Sequence, residues 1–270
     1  MIRKVLVLLL LSTAICHAQA HRYYLGFDKN DYPGDDLLPA LHKTFAYTSY
    51  WLNNPPGMTS NPWRGKRPVV RAAGLGFLIL FNGRLDAELK GKDAAALGKA
   101  DAKAALASAL NENFPAGSII FLDQEEGGRL LPEQAAYVGA WITEVSASDF
   151  QPGVYCSGIT VHDQDGAIST AQDIAKRFAT PDNQLALWVF NDQCPPAPGC
   201  TMRPPNPVRS GFKGALVWQY AQSPRSQFAA ACRAGYAADH HCYAPGLRRS
   251  SETQLDLDTS NTRDPSRGWQ

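Results

Sequence analysis

Carboxylates close several of the apolar segments of this sequence. Asp28 ends the segment YYLGFD, and Asp123 and Glu125 end the segment SIIFLDQE. Near the C-terminus, Asp256 and Asp258 both lie in TQLDLDTS. Carboxyl groups crowded near an apolar floor raise one another's pKa, so that one can stay protonated while another is ionised. Hydrolysis of a glycosidic bond requires this division, because one group protonates the leaving oxygen while another stabilises or attacks the sugar carbon or activates water.

The acids of the segment SIIFLDQEEGG divide between two faces. Side chains alternate across a strand, so Asp123 and Glu125 point to one face, whereas Glu126 points to the other or begins the loop. The alternative is structural: the acids cap helices or pair with Arg84 and Arg129. We favour an active site because four acids fall together at the ends of apolar segments.

The elements that would position these acids alternate between short apolar segments and longer helical ones. Eight segments are rich in β-branched and aromatic residues and are bounded by Gly, Pro, Asn or Asp, which predicts strands. They are YYLGFD (23–28), FAYTSYWL (45–52), FLILFNG (77–83), SIIFLDQE (118–125), PGVYCSG (152–158), LALWVFND (185–192), ALVWQYA (215–221) and TQLDLDTS (253–260). A helix-opening capping box is expected at Ser169 to Gln172.

This alternation predicts an α/β fold with a parallel sheet, and eight strands favour a single-domain (β/α)8 TIM-like barrel over an open doubly wound sheet. Active sites of such barrels form at the C-terminal ends of the strands, where the acids lie. We expect the barrel to span residues 21–261 and residues 262–270 to form a disordered tail.

Aromatic residues in the predicted strands suit a sugar ligand. Tyr155, Trp188, Trp218 and Tyr220 fall on the fifth to seventh strands, where a flat ring can pack on a pyranose face. We take Tyr155, Trp188, Trp218 and Gln219 as candidates for substrate binding. The alternative is that the aromatic rings belong to the core.

The first 20 residues have the features of a secretory signal. Two basic residues precede an apolar run, and Ala18-Gln19-Ala20 supplies the small residues of a cleavage site. The run is too short for a membrane span, which needs about 20 residues. We therefore expect cleavage after Ala20 and a secreted or periplasmic protein.

Charge excludes a broad electrostatic attraction to nucleic acid or to an anionic membrane. Without Arg3 and Lys4, the 26 basic residues fall to 24, against 25 acidic residues. We expect a glycan as the partner, no nucleic acid, no membrane once the signal is cleaved, no cofactor and a monomeric protein.

Five cysteines follow the predicted signal. In an exported protein the close pairs Cys194/Cys200 and Cys232/Cys242 are natural disulfides, which leaves Cys156 as a free thiol. The Cys156-Ser157 dipeptide could supply a nucleophile, but no His is placed to activate it, and a buried strand thiol is favoured.

Two other polar motifs favour structural interpretations. His162-Asp163-Gln164-Asp165 could ligate a metal, yet no second spaced His cluster accompanies it, and a solvated turn is favoured. We therefore expect no metal site. Asp239-His240-His241-Cys242 matches a signature of membrane acyltransferases, but the chain offers no span, so a surface loop with a disulfide is favoured.

Five motifs together resemble a known family over nearly the whole chain after the predicted signal. They are LGFDKNDYPG, IIFLDQEEGG, PGVYCSG, LVWQYAQSP and QLDLDTSN. The chain resembles the glycoside-hydrolase-like family once catalogued as domain of unknown function 1906. That family is itself similar to glycoside hydrolase family 25, the Chalaropsis-type lysozymes.

The resemblance implies a modified (β/α) barrel that acts on an N-acetylated cell-wall glycan such as peptidoglycan. Asp28, Asp123, Glu125 and Asp256 match the positions of the acids of family 25. Glu125 would be the general acid, Asp123 and Asp256 the ionised partners, and Asp28 a supporting carboxylate. The alternative function is a non-catalytic glycan-binding protein on a degenerate hydrolase barrel.

Overall fold

Eight strands close into a barrel in the computed structural model, which describes residues 23–180, 185–225 and 235–269. The barrel strands are β1 (Tyr24–Asp28), β2 (Tyr47–Trp51), β3 (Gly76–Asn82), β4 (Ile119–Gln124), β5 (Gln151–Ser157), β8 (Ala186–Phe190), β9 (Val217–Ala221) and β10 (Asp256–Ser260). Their order around the barrel is β1-β10-β9-β8-β5-β4-β3-β2. Each of the eight predicted strands is therefore confirmed, with small shifts at the ends, and the chain forms a single-domain α/β barrel.

Helices cover part of this barrel. They are α1 (Leu38–His42), α2 (Arg67–Ala72), α3 (Asp86–Leu89), α4 (Ala94–Asn111), α5 (Pro132–Ser146) and α6 (Thr170–Phe178). The capping box is confirmed at the start of α6, where Ser169 Oγ accepts a hydrogen bond from the Gln172 N–H and the Gln172 side chain accepts one from the Ser169 N–H. Over the described residues, no helix is both long and apolar enough to cross a membrane.

A short hairpin interrupts the helical layer between β5 and α6. Strands β6 (Val161–Asp163) and β7 (Gly166–Ile168) pair antiparallel, with the turn of the hairpin at the motif predicted to be a solvated turn. Asp163 accepts a hydrogen bond from Arg129 Nε at 2.9 Å, so it has a structural partner.

The last strand runs in the opposite direction from the one predicted. The pairs from β1 through β2, β3, β4, β5 and β8 to β9 are parallel, but β10 is antiparallel to both β9 and β1. A parallel strand needs a crossover back to the opposite rim of the barrel. Instead, Asp256 at the start of β10 pairs with Asp28 at the end of β1, so β10 begins at the mouth of the barrel and descends into it.

Glycines make room for large rings inside the barrel. A Cβ atom on Gly26 would lie 1.9 Å from Cε2 of Tyr47, and one on Gly153 would lie 2.6 Å from Cδ1 of Phe121. Phe121 packs edge-on against Trp188, with ring centroids 5.9 Å apart. Aromatic side chains thus fill the interior beneath the mouth, which makes the barrel a packed core with an open upper end.

The predicted disulfide pairing is wrong for Cys200 and Cys242, which bond to each other with Cα atoms 5.4 Å apart. The pairing assumed that neighbours in sequence bond, but this bridge joins the long connection after β8 to the segment before β10. Cys194 is also disulfide-bonded, and Cys232 lies outside the described residues. Cys156 is a buried free thiol, as predicted.

The predicted disordered tail is instead packed against the barrel as far as residue 269. Asp264 Oδ1 accepts a hydrogen bond from the Phe77 N–H at 2.9 Å, and Ser266 Oγ accepts one from the Ile79 N–H at 2.8 Å. The Ser266 carbonyl accepts a third from the Ile119 N–H at 2.9 Å. The tail therefore covers the end of the barrel opposite the mouth. The predicted signal, residues 1–20, lies outside the described residues.

Candidate active site

Five carboxylates meet in the upper half of the barrel. Asp28 ends β1, Asp123 lies near the end of β4, Glu125 follows that strand, and Asp256 and Asp258 point inward from β10. The charge of Asp28 acts on Asp123, Asp256 and Asp258, and that of Glu125 acts on Asp28 and Asp123. The structure thus brings together the four acids predicted as catalytic and adds a fifth.

A β-bulge in β9 lies beside the acids of β10. The register against β9 shifts between Leu257 and Asp258, so that Asp258 pairs with Gln219. Bulges are frequent beside active sites, where they re-aim side chains. The shifted register pairs Asp258 with Gln219, and the side chains of both residues point into the barrel.

Asp28 is the acid best supplied with hydrogen-bond donors. Its Oδ2 accepts a hydrogen bond from Gln219 Nε2 at 2.8 Å, and the neighbouring carboxyl of Asp258 also acts to lower the pKa of Asp28. Gln219 is held in turn by Tyr155, whose hydroxyl donates to Gln219 Oε1 at 2.8 Å. Burial raises the pKa of Asp28 to about 6, while its hydrogen bonds act in the opposite direction.

Asp123 and Asp256 hold their protons more tightly than Asp28. Burial and the charges of Glu125 and Asp28 raise the pKa of Asp123 well above its usual range. Its Oδ1 accepts no hydrogen bond from a described donor. Burial and the charge of Asp28 do the same for the pKa of Asp256, although Asp256 accepts a hydrogen bond from the Ser223 N–H. These directions differ from the prediction, which made Asp123 and Asp256 the ionised members and Asp28 a support.

Glu125 and Glu126 point in different directions, as the alternation predicts. Glu125 is exposed at the mouth, and desolvation by the surrounding walls raises its pKa. Glu126 reaches the helices outside the barrel, where its Oε2 accepts hydrogen bonds from the Asp86 N–H at 2.7 Å and from Gln134 Nε2 at 2.6 Å. Of the two consecutive acids, only Glu125 is placed to act at the mouth.

The arginines considered as structural partners do not hold this cluster. Arg84 makes two hydrogen bonds to Asp101, at 2.6 and 2.9 Å. Arg129 pairs with Asp163 on the β6–β7 hairpin. Among the described residues, no salt bridge includes any of the five clustered carboxylates.

Three of the four candidate substrate-binding residues, Tyr155, Trp188 and Gln219, point into the barrel interior. Trp188 and Gln219 lie below the mouth and are buried. Tyr155 is 7% exposed near the mouth, whereas Trp188 is fully buried and donates from Nε1 to Asp258 Oδ1 at 2.9 Å. Gln219 is also buried and binds Asp28. Trp188 therefore belongs to the floor of the site.

Trp218, predicted to bind substrate, lies away from the interior of the barrel. Its side chain is fully buried and donates from Nε1 to the Asn191 carbonyl at 2.9 Å. Because Gln219 points inward, its neighbour Trp218 points to the outer side of the barrel wall. No face of this ring is open to a sugar.

Phe190, which was not predicted as a site residue, is a half-buried ring near the mouth. Phe190 packs against Tyr155 with ring centroids 5.4 Å apart. The available signal was its spacing of two residues from Trp188, which puts both rings on the same face of β8.

Two cavities open on different sides of the acids. One, of about 370 Å³, contains Asp123 and Glu125 in its lining and extends over the ends of β3 and β4. The rest of its wall comes from the end of β3, from two loops and from the helix α3, through Pro56, Gly57, Asn82, Gly83, Arg84, Leu85 and Glu88. The other, of about 230 Å³, lies beside Asp256 and is lined by Lys29, Ser223 and Ser251. Open space therefore borders Asp123 and Glu125 on one side and Asp256 on the other.

No three His, Cys, Asp or Glu side chains of the described residues are grouped so as to hold a metal ion. The described side chains at the mouth offer carboxyl groups with unequal proton affinities, aromatic rings and amide donors.

Known structures share this fold at low sequence identity. An uncharacterised protein of B. stearothermophilus has a TM-score of 0.56 and 17% identity, over 89% of this chain and 97% of that one. The Tat-secreted protein Rv2525c of Mycobacterium tuberculosis, in complex with HEPES, has a TM-score of 0.53 and 11% identity, over 93% of this chain and 100% of that one. The catalytic domain of the endolysin ply40, from bacteriophage P40 of Listeria monocytogenes, has a TM-score of 0.51 and 12% identity, over 89% and 94%.

Comparison of sequences gives the family. No curated protein sequence matches the chain. The family model described as the Rv2525c-like, glycoside hydrolase-like domain matches residues 46–196, which is more than half of the chain and includes Asp123 and Glu125. The chain therefore belongs to the Rv2525c-like family of glycoside hydrolase-like domains.

Proposed function

We propose that this protein is an exported glycoside hydrolase that cleaves cell-wall polysaccharide of the peptidoglycan type. One observation carries the proposal: buried carboxyls with raised pKa values and the exposed Glu125 converge at the mouth of the barrel, beside an open cavity. Burying acids without a cation costs stability, and such arrangements are concentrated at functional sites.

Glu125 is the proposed proton donor. It is exposed to a bound glycan, and its raised pKa keeps a larger fraction of it protonated near neutral pH. Glu125 would transfer its proton to the glycosidic oxygen as the bond from that oxygen to the sugar carbon breaks. Water then supplies a hydroxyl group to the sugar carbon and a proton that restores Glu125.

Asp28 is the proposed anion that stabilises the positive charge developing on the sugar ring. Its hydrogen-bond partners favour its ionised form, and with a pKa of about 6 it is largely ionised at pH 7. Asp123 and Asp256, which hold their protons more tightly, would position the sugar through hydrogen bonds that they can donate. Tyr155 and Phe190 would bound the sugar at the mouth.

The substrate class and the location rest on relatives. The endolysin with a similar fold and the resemblance to Chalaropsis-type lysozymes support a cell-wall glycan. Three observations support export. The M. tuberculosis protein is Tat-secreted, Cys200 and Cys242 form a disulfide, and residues 1–20 have the features of a secretory signal. In the proposed processed protein, His21 is the first residue.

The test compares the protein beginning at residue 21 with two single variants, Glu125→Gln and Glu126→Gln. Peptidoglycan is the substrate, chitin oligosaccharides are the comparison, and new reducing ends are measured. Glu125→Gln should lower turnover about a hundredfold or more, because a positioned acid contributes about that much. Glu126→Gln should leave turnover close to wild type, since Glu126 faces α3 and α5.

Equal turnover of Glu125→Gln and wild type would refute the assigned role. If no protein releases reducing ends while wild type and Glu125→Gln sediment equally with peptidoglycan, the protein is a glycan-binding protein without catalysis.

A further inference from the structure

Asp258 is an acid inside the barrel without direct access to the mouth. It is fully buried, pairs with Gly26 of β1, and lies two residues deeper than Asp256 along β10. Its Oδ1 accepts a hydrogen bond from Trp188 Nε1 at 2.9 Å, while its Oδ2 accepts none from any described donor. Only one of its two oxygens is therefore satisfied if the group is ionised.

Burial and the charges of Asp28 and Asp256 disfavour a negative charge on Asp258, while the hydrogen bond from the Trp188 indole favours one. The hydroxyls of Tyr47 and Tyr220 also lie within electrostatic range of Asp258. Tyr220 donates its hydroxyl to the Thr201 carbonyl, and the Tyr47 hydroxyl makes no hydrogen bond with Asp258. No described cation approaches it, and a buried carboxylate without a cation is strongly disfavoured.

A proton on Asp258 resolves both problems. The protonated carboxyl has an O–H to donate, and its hydrogen-bond partner is Asp28. With Gln219 Nε2 as the second donor, Asp28 then accepts hydrogen bonds from two buried side chains. Each donor stabilises the ionised form of Asp28 and fixes the orientation of its carboxylate.

We propose that Asp258 is a positioning residue that keeps a proton and donates a hydrogen bond to Asp28, holding Asp28 ionised and oriented for glycoside hydrolysis. The inference rests on the proposed function, which assigns Asp28 as the stabilising anion. Asp258 does not reach the substrate, and it acts through Asp28.

The proposal predicts that an amide can replace the acid. In Asp258→Asn, the Nδ2–H group can donate to Asp28 while Oδ1 still accepts from Trp188. In Asp258→Leu, a side chain of similar size can do neither. Asp258→Asn therefore removes the acid but keeps the hydrogen-bond donor, whereas Asp258→Leu removes both.

The first measurement needs no substrate. Carbon-13 NMR of protein labelled at the aspartate carboxyl carbons reports the protonation of Asp28 and Asp258, with signals assigned through Asp28→Asn and Asp258→Asn. We expect the Asp258 signal of wild type to be that of a protonated acid at pH 7. The pKa of Asp28 should be similar in wild type and Asp258→Asn and about one to two units higher in Asp258→Leu, because a hydrogen bond to a charged group is lost.

The second measurement is turnover on peptidoglycan across pH. Asp258→Asn should retain most of the wild-type turnover, and Asp258→Leu should lose about ten- to a hundredfold, with its acid limb displaced to higher pH. Should Asp258→Leu fail to fold, Asp258→Asn alone decides. An ionised Asp258 at pH 7, or an Asp258→Asn variant that folds but has lost its activity, overturns the proposal.

The two measurements distinguish failure of the hydrolase assignment from failure of the positioning role of Asp258. If wild type releases no reducing ends but the NMR results are as expected, the hydrolase assignment fails while the hydrogen bond from Asp258 to Asp28 stands. If wild type is active and the pKa of Asp28 is the same in all three proteins, the positioning role fails while the hydrolase assignment stands.

Discussion

Replacing Asp28 by Asn should make the protein more stable at neutral pH while abolishing its function. The folded pKa of Asp28 is about 6, against 3.8 for the free side chain. Between these values the folded state binds a proton that the unfolded state does not, so stability falls as pH rises from about 4 to about 6 and then levels off. A difference of about two pKa units corresponds to about 3 kcal/mol.

The Asp28→Asn variant has no carboxyl group at this position, so it avoids the loss of stability between about pH 4 and pH 6 and keeps the local hydrogen bonds. Its Oδ1 can accept hydrogen bonds from Gln219 Nε2 and from the protonated Asp258, as the Asp28 carboxylate does. We therefore expect equal unfolding free energies near pH 4 and a variant about 3 kcal/mol more stable at pH 7. The measurement is urea unfolding of both proteins, with disulfides intact, at intervals between pH 4 and pH 8.

The matched control for this experiment is Asp36→Asn, which changes an exposed acid. Its unfolding free energy should follow wild type at every pH, because surface substitutions usually change stability by less than about 0.5 kcal/mol. The reasoning is refuted if Asp28→Asn is less stable than wild type at pH 7, or if the difference between the two proteins does not change with pH.

Two further predictions concern the corrected parts of the fold. Replacing both Cys200 and Cys242 by Ser should lower the free energy of unfolding, measured in urea, by about 4 kcal/mol, because the disulfide closes a loop with a sequence separation of 42 and limits the entropy of the unfolded chain. Peptide mapping without reduction should recover these two cysteines in one linked species. Deleting residues 262–270 should lower it by about 2 to 4 kcal/mol, since three backbone N–H groups lose their partners, whereas an unchanged unfolding curve would mean that the tail contributes nothing.

Local patterns in the sequence predicted the strands and the acids well. Alternation correctly separated Glu125 from Glu126, because it depends only on the geometry of one strand. The same rule could have excluded Trp218, given that its neighbour Gln219 was expected to face the ligand. The pattern of eight apolar segments also predicted barrel closure.

Features that depend on distant parts of the chain were not predictable in this way. The direction of β10 is set by the connection before it, and the pattern of apolar residues in a strand is the same in either direction. The bond between Cys200 and Cys242 depends on which loops meet in space. The partner of Asp258 follows from the reversed strand, since only that direction gives Asp258 a place below Asp28 and beside Trp188.

The protein buries acids in two different ways, and the contrast indicates what the cluster is for. Asp101 is buried with a cation, because Arg84 binds it through two hydrogen bonds and Tyr137 donates a third at 2.8 Å. Such an arrangement satisfies the charge of the acid. Asp28 and Asp258 instead have each other and neutral donors, with no salt bridge among the described residues.

If the cluster served only to hold the barrel together, pairs like Arg84–Asp101 or apolar side chains would do so at a lower cost in stability. The arrangement instead raises the pKa values of Asp28 and Asp258, and it raises that of Asp258 more than that of Asp28. Unequal proton affinity at an open mouth is of use to a reaction that must donate a proton and stabilise a cation at the same time. A gain in stability on Asp28→Asn, together with loss of turnover, would show that this cost is borne for the chemistry.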